Sequence, residues 1–78
     1  MKTVIILTNN NKIYITINNC KIYNIKEIIN LIEHIPISNQ ILIYKNVLLN
    51  NNKYIFDYII NDNNNFNYEI KLYIKSKL

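Results

Sequence analysis

Glycine, alanine, arginine and tryptophan are absent from this 78-residue chain, and proline, cysteine, histidine and methionine occur once each. Each gap excludes something. Without glycine there is no phosphate-cradling loop of the usual kind. Cys20 alone makes no disulfide framework, and a reducing, intracellular setting is the simplest reading. Cys20 and His34 flank a predicted helix at opposite ends, roughly 20 Å apart at the helical rise, which excludes a Cys–His catalytic pair. The acids Glu27, Glu33, Asp57, Asp62 and Glu69 show no paired spacing, and no cluster has the spacing of metal ligands. Catalysis, a cofactor and a metal site are therefore not expected. The apolar run Val4 to Leu7 is strand-sized and no run is longer, so no segment is expected to insert into a membrane.

What is present is skewed. Ile, Asn, Lys and Tyr make up about two thirds of the chain, far from average usage. With Phe, these residues have AT-rich codons. Asparagine tolerates left-handed backbone better than most residues with a side chain, so the Asn clusters are expected to act as turns in glycine's place. The net charge is +4, all of its positive part lysine, spread from Lys2 to Lys77. No basic cluster interleaves with aromatics, so the lysines read as solvated surface and nucleic acid is not an expected partner. The length suits one domain, residues 1–78, acting as a monomer.

The periodicity is informative. Thr3 to Thr8 is β-rich, Asn9–Asn11 marks a turn, and Lys12 to Asn18 alternates, with Ile13, Ile15 and Ile17 on one face. Two such runs across a short loop read as a hairpin. In the first run either Ile5 and Leu7 or Val4 and Ile6 face the core. From Ile22 the period changes: Ile22, Ile25, Ile29 and Ile32 make one helix face, widened by Ile28, with Lys26 and Glu33 largely outside its centre. Pro36 disfavours helix at Ile35, so the helix stops by about His34. Then come a strand (Ile41 to Tyr44), a turn at Asn46, a short extended piece (Val47 to Leu49), an Asn loop, a short helical turn within Tyr54–Ile60, a polar loop (Asp62 to Asn65) and a strand (Tyr68 to Ile74). In the last strand Tyr68, Ile70, Leu72 and Ile74 share the inner face. A helix across one face of a mixed sheet makes a two-layer α+β domain.

That order resembles ubiquitin. His34-Ile35-Pro36-Ile37-Ser38-Asn39-Gln40-Ile41-Leu42-Ile43-Tyr44 is similar to the ubiquitin stretch where Ile-Pro ends the helix and Gln-Arg-Leu-Ile-Phe forms a central strand. Ile55-Phe56-Asp57-Tyr58-Ile59-Ile60 resembles Leu-Ser-Asp-Tyr-Asn-Ile, and Ile22, Asn24, Ile25, Lys26 and Ile29 fit the family's helix. The resemblance implies a β-grasp fold with a four- to five-stranded mixed sheet. It implies that Leu42 points inward, that Asp57 caps the short helix, and that Tyr58 bonds backbone of the Asn50–Asn52 loop. It also implies that Lys26 is largely buried, with Asn51 in place of the family's acidic partner.

For function, the resemblance implies a divergent protein modifier, recognised by or conjugated to other proteins, or alternatively a non-conjugated interaction domain. Ile43 stands at the family's central surface isoleucine, Ile41 replaces an arginine, and Lys71 and Tyr73 replace a His and a Val. The expected binding face is thus Ile41, Ile43, Lys71 and Tyr73, with both isoleucines exposed. Lys75, Ser76, Lys77 and Leu78 match the start of the family's conjugation tail, although no Gly-Gly is present. Val47, Asp62, Ile28 and Ile32 replace chain-forming lysines, which argues against a polymeric degradation signal. The implied partners are activating and conjugating enzymes and ubiquitin-like-binding receptors. The AT-biased composition joined to the resemblance implies a plastid (apicoplast-type) protein of the import machinery, otherwise a cytoplasmic one.

Overall fold

The computed structural model describes residues 2–59 and 68–75. Strands β1 (Lys2–Leu7) and β2 (Lys12–Ile17) form an antiparallel hairpin in which Val4 lies opposite Ile15 and Ile6 opposite Ile13. There follow helix α1 (Ile22–Glu33), a 3-10 turn (Ile37–Asn39), β3 (Gln40–Tyr44), β4 (Val47–Leu48), the one-turn helix α2 (Phe56–Ile59) and β5 (Tyr68–Ile74). The sheet order is β2-β1-β5-β3-β4, with β5 parallel to β1 and antiparallel to β3. This is the α+β β-grasp expected, with five strands. The loop expected at Asp62 to Asn65 and the tail residues Ser76, Lys77 and Leu78 lie outside the described residues.

Helix α1 is built from poor helix formers. Five of its twelve residues are isoleucine, and each costs a few tenths of a kcal/mol in propensity. Ile22, Ile25 and Ile29 are fully buried, and burying such a side chain is worth about 1.5–3 kcal/mol. Packing therefore outweighs propensity. The first-turn amides, which no helix can satisfy internally, are taken up by the loop after β4. Ile22 N–H donates to the Lys53 carbonyl (2.9 Å) and Tyr23 N–H to that of Asn51 (3.2 Å). At the other end His34 adopts φ 59°, and its N–H bonds the Asn30 carbonyl at 2.8 Å.

The stripe ends earlier than its spacing predicts. Ile32 is 51% exposed. The last helical turn meets the polar β1–β2 turn, where Asn11 Nδ2 donates to Glu33 Oε1 at 3.2 Å. Ile74, expected inward, is likewise exposed at the end of its strand. Lys26, outside the centre of the stripe by spacing, is buried, as the resemblance implies. It makes no ion pair among the described residues, and burial pushes its pKa below the usual lysine value. The first strand is settled: Val4 and Ile6 face the core. Ile5 is on the other face, yet buried, in register with Tyr14 and Glu69.

The Asn clusters work differently from expectation. Among the described residues positive φ falls on His34, Lys45 and Asn46, only one of them asparagine. Lys45-Asn46 forms the two-residue link between β3 and β4, with both φ values positive as a type I′ turn requires. Elsewhere asparagine makes turns through its side-chain oxygen. Asn11 Oδ1 accepts from Lys12 N–H (2.9 Å), Asn50 Oδ1 from Asn52 N–H (2.9 Å), and Asn19 Oδ1 from Phe56 N–H (3.1 Å). Asp57 acts on the entry to α2 from inside it, accepting from Tyr54 N–H at 3.1 Å. The Tyr58 hydroxyl accepts from Asn50 N–H at 3.0 Å, as expected.

Three outcomes are expected in equilibrium unfolding. Leu42→Ala, at a site with no exposure, should cost about 2–5 kcal/mol, while Ile43→Ala on the half-buried opposite face should cost about 1 kcal/mol. Similar losses at the two sites would contradict the two-faced sheet. His34→Gly should stabilise by about 0.5–1 kcal/mol, because a left-handed non-glycine residue costs roughly 1–2 kcal/mol and glycine returns part of that as chain entropy. Because the folded pKa of Lys26 is lowered, the unfolded chain binds its proton more tightly, and stability should rise with pH from the folded value towards 10.5. The difference between wild type and Lys26→Met across that window isolates the effect, and a flat difference would contradict it.

Candidate functional site

The face of the sheet away from α1 is built by alternation. Because Leu42 and Leu72 point into the core, their neighbours Ile41, Ile43, Lys71 and Tyr73 point the other way. Register then sets who meets whom. Ile41 lies opposite Tyr73, and Ile43 opposite Lys71 on β5 and opposite Leu48 on β4. On its far side Lys71 pairs with Leu7 of β1, which pairs with Lys12 of β2. One row across all five strands thus reads Lys12, Leu7, Lys71, Ile43, Leu48, with Ile41 and Tyr73 adjoining it. Directly opposed residues in antiparallel strands have Cβ atoms about 4.5–5.5 Å apart, so these side chains form a continuous surface.

The four residues expected from the sequence are brought to one side of adjacent strands. Ile41 and Ile43 are half-buried, not fully exposed as expected, because their cross-strand neighbours cover their flanks. Tyr73 is 49% and Leu48 65% exposed. Leu48 and Leu7 were missed. Leu48 had a usable signal: a two-residue turn at Lys45-Asn46 places Val47 opposite Tyr44 and therefore Leu48 opposite Ile43. Leu7 had none, since the two faces of β1 are both apolar. Lys75 continues the alternation past β5, and its N–H donates to the Asn39 carbonyl at 2.7 Å.

Among the described residues no three of His, Cys, Asp and Glu gather as metal ligands, and no helix is long and apolar enough to cross a membrane. Cys20 and His34 sit at opposite ends of α1. Burial pushes the Cys20 thiol pKa up, which keeps it protonated and poorly nucleophilic. A groove of about 620 Å³ lies between the β1–β2 turn, the end of α1 and the end of β5. It includes Tyr73 but neither Ile41 nor Ile43, and its rim of Thr8 and Asn9–Asn11 is neutral. The outer face thus presents half-buried Ile41 and Ile43 with exposed Leu48, Lys71 and Tyr73, and the groove lies beside it at the end of β5.

No protein-family model matches the sequence, and no curated protein matches it. Solved structures do match in fold. The crystal structure of ATBAG1 in complex with HSP70 superposes with a TM-score of 0.83 at 16% identity, over 96% of this chain and 41% of that one. This chain thus spans about two fifths of that neighbour's length. The solution structure of the N-terminal ubiquitin-like domain in the 4931431F19Rik protein gives 0.81 at 15% identity, over 99% of this chain and 77% of that one. The fold is the ubiquitin-like β-grasp.

If the outer face is one surface, Ile43→Ala and Leu48→Ala should perturb the same amides on β3, β4 and β5 in a heteronuclear spectrum. Leu31→Ala, on the solvent side of α1 at 79% exposure, should leave those amides still. Shifts from Ile43→Ala confined to α1 would contradict the assignment.

Proposed function

We propose that this chain is a ubiquitin-like protein-interaction module, bound by partner proteins through the face bearing Ile41, Ile43, Leu48, Lys71 and Tyr73. The observation that supports this reading is the register that sets Ile43 between Lys71 and Leu48 and Ile41 beside Tyr73. A contiguous apolar face on a small domain is a usual mark of a protein-binding surface. Aromatic and aliphatic anchors of this kind dominate interfaces, with roughly 2 kcal/mol or more lost when one is truncated. One structural neighbour, ATBAG1, was solved in complex with HSP70, which supports protein partners as the class.

The finer reading is a conjugated modifier. It requires a Gly-Gly beyond the Lys75–Leu78 match, activation of its carboxylate as a thioester by an activating enzyme, and transfer through a conjugating enzyme to a substrate lysine. Val47, Ile28 and Ile32 at former chain-forming positions favour a single attached module over a polymer. The AT-biased composition supports a plastid setting, with protein import as the process. Incubating the full-length product with ATP and its activating enzyme should yield a thiol-sensitive adduct; its absence removes conjugation and leaves the docking reading.

The docking reading has its own test. Immobilised wild type, Ile43→Ala and Leu31→Ala are compared for capture of proteins, and each captured partner is then made pure and mapped by chemical shift. Partners lost with Ile43→Ala, kept with Leu31→Ala and mapped to β3, β4 and β5 are expected. Partners indifferent to Ile43 and mapped to α1 would overturn the reading.

A further inference from the structure

We infer that β2 is the pairing edge for a second copy of this chain, the two β2 strands joining antiparallel about a two-fold axis at Ile15 into one continuous sheet. The first argument is hydrogen bonding. Among the described residues the sheet is bounded by β2 and β4, and β4 is only Val47–Leu48. Where the β1–β2 hairpin closes, Thr8 N–H donates to the Asn11 carbonyl at 2.9 Å. Bonded and non-bonded pairs alternate from there. Ile13, Ile15 and Ile17 therefore bond β1, while the backbone groups of Lys12, Tyr14 and Thr16 point away from the sheet. The Lys12 N–H is taken by Asn11 Oδ1 at 2.9 Å, which leaves Tyr14 and Thr16 as the outward rungs. Edge strands are usually blunted by shortness, a bulge, a proline or charge. β2 runs six residues in unbroken register, and its one charge is Lys12 at its start.

The second argument is self-complementarity, which a two-fold contact requires. With Ile15 opposite Ile15 of the second copy, Tyr14 lies opposite Thr16 and Thr16 opposite Tyr14, so both outward rungs are bonded. Ile13 then faces Ile17, and Lys12 faces Asn18. No like charges meet, and an aromatic opposite a β-branched residue is a favourable cross-strand pair. The third argument is apolar exposure beside this edge. Helix α1 turns its Lys26 flank towards β3, where Gln40 Nε2 donates to the Lys26 carbonyl. Its other flank, with Ile28 and Ile32, therefore borders β2. Ile32 is 51% exposed, Leu31 beside it 79% and Tyr14 63%. Joining the edges sets the two helices on one face of one sheet with these flanks turned towards each other. A short strand and these few side chains make a small interface beside the standard of about 800 Å² per partner. Each copy also carries a net charge of +4. The pair is therefore weak, and it tightens as salt screens the like charge. The face bearing Ile41 and Ile43 stays open, so this inference is independent of its docking role.

The test is sedimentation of the full chain from about 0.01 to 1 mM, the range of weak association, with amide spectra of the isotope-labelled chain at the same concentrations. Mass should rise from 9.4 kDa towards twice that, and the amides of Tyr14 and Thr16 should shift with it. Raising salt from about 0.05 to 0.5 M should tighten the pair about threefold. Thr16→Pro removes an outward amide at a position where an edge strand accepts proline, and Thr16→Lys adds charge between the copies. Each should weaken the pair about tenfold or more, with unchanged core amides such as Ile6 and Ile25 as the control for folding. A chain that stays monomeric, its Tyr14 and Thr16 amides still, overturns the inference. So does a pair indifferent to both variants whose shifts fall on Ile43 and Tyr73. A monomer whose Tyr14 and Thr16 amides move only when a synthetic alternating Val-Thr peptide is added also overturns it, and assigns the edge to a foreign strand.

Discussion

Burial of Ile22, Ile25 and Ile29 against the sheet is the interaction on which the rest of this structure depends. Its residues are mediocre helix formers, and it has neither an acidic first turn nor a basic last turn, so packing carries its middle while hydrogen bonds cap its two ends. Once the stripe is seated, the first-turn amides reach the carbonyls of Asn51 and Lys53, so the same contact organises the loop that leads to α2. Gln40 completes the junction from the sheet side, its Nε2 donating to the Lys26 and Ile35 carbonyls at 2.9 Å each. Helix, loop and β3 are thereby one mechanical unit.

That unit leaves the sheet with two unlike faces. The inner face is almost wholly aliphatic, joined by the edge-to-face pair Tyr44 and Tyr68 at 6.3 Å. The outer face mixes half-buried isoleucines with lysines. A sheet covered by a helix on one side only leaves its other side to solvent, and here that side carries both apolar and lysine side chains. Rigidity comes from the closed pairing of β5 in the centre, which holds the rows across the face in register.

The glycine-free composition moves strain to unusual places. His34, Lys45 and Asn46 carry left-handed backbone, where a residue with a Cβ is disfavoured. The chain tolerates this because each position is held by its surroundings: His34 by its bond to Asn30 and by Pro36, and Lys45-Asn46 by the β3–β4 pairing on both sides. Buried polar groups are handled less completely. Lys26 has no counter-charge among the described residues, and neither Asn51 Oδ1 nor Gln40 Oε1 has a hydrogen-bond partner there. Each such buried polar group costs desolvation that no partner returns.

The sequence by itself determined the elements. Alternation at Ile13, Ile15 and Ile17, the three- and four-residue spacing of Ile22, Ile25 and Ile29, and the stop at Pro36 each follow from local periodicity and backbone sterics. Their order sufficed for a two-layer α+β domain, its resemblance to ubiquitin implied the β-grasp, and alternation around Leu42 sufficed to turn Ile41 and Ile43 outward. Tertiary structure alone decided what depends on neighbours far along the chain. Val4 and Ile6 could not be told from Ile5 and Leu7, because all four are apolar and only pairing with β2 and β5 separates the faces. Ile32 and Ile74 have the right period but are exposed, whereas the burial of Lys26 was legible in the resemblance and not in its polarity. Leu7 and Leu48 joined the outer face through register with β5 and β3. Periodicity says which way a side chain points, whereas burial is a property of what stands opposite it.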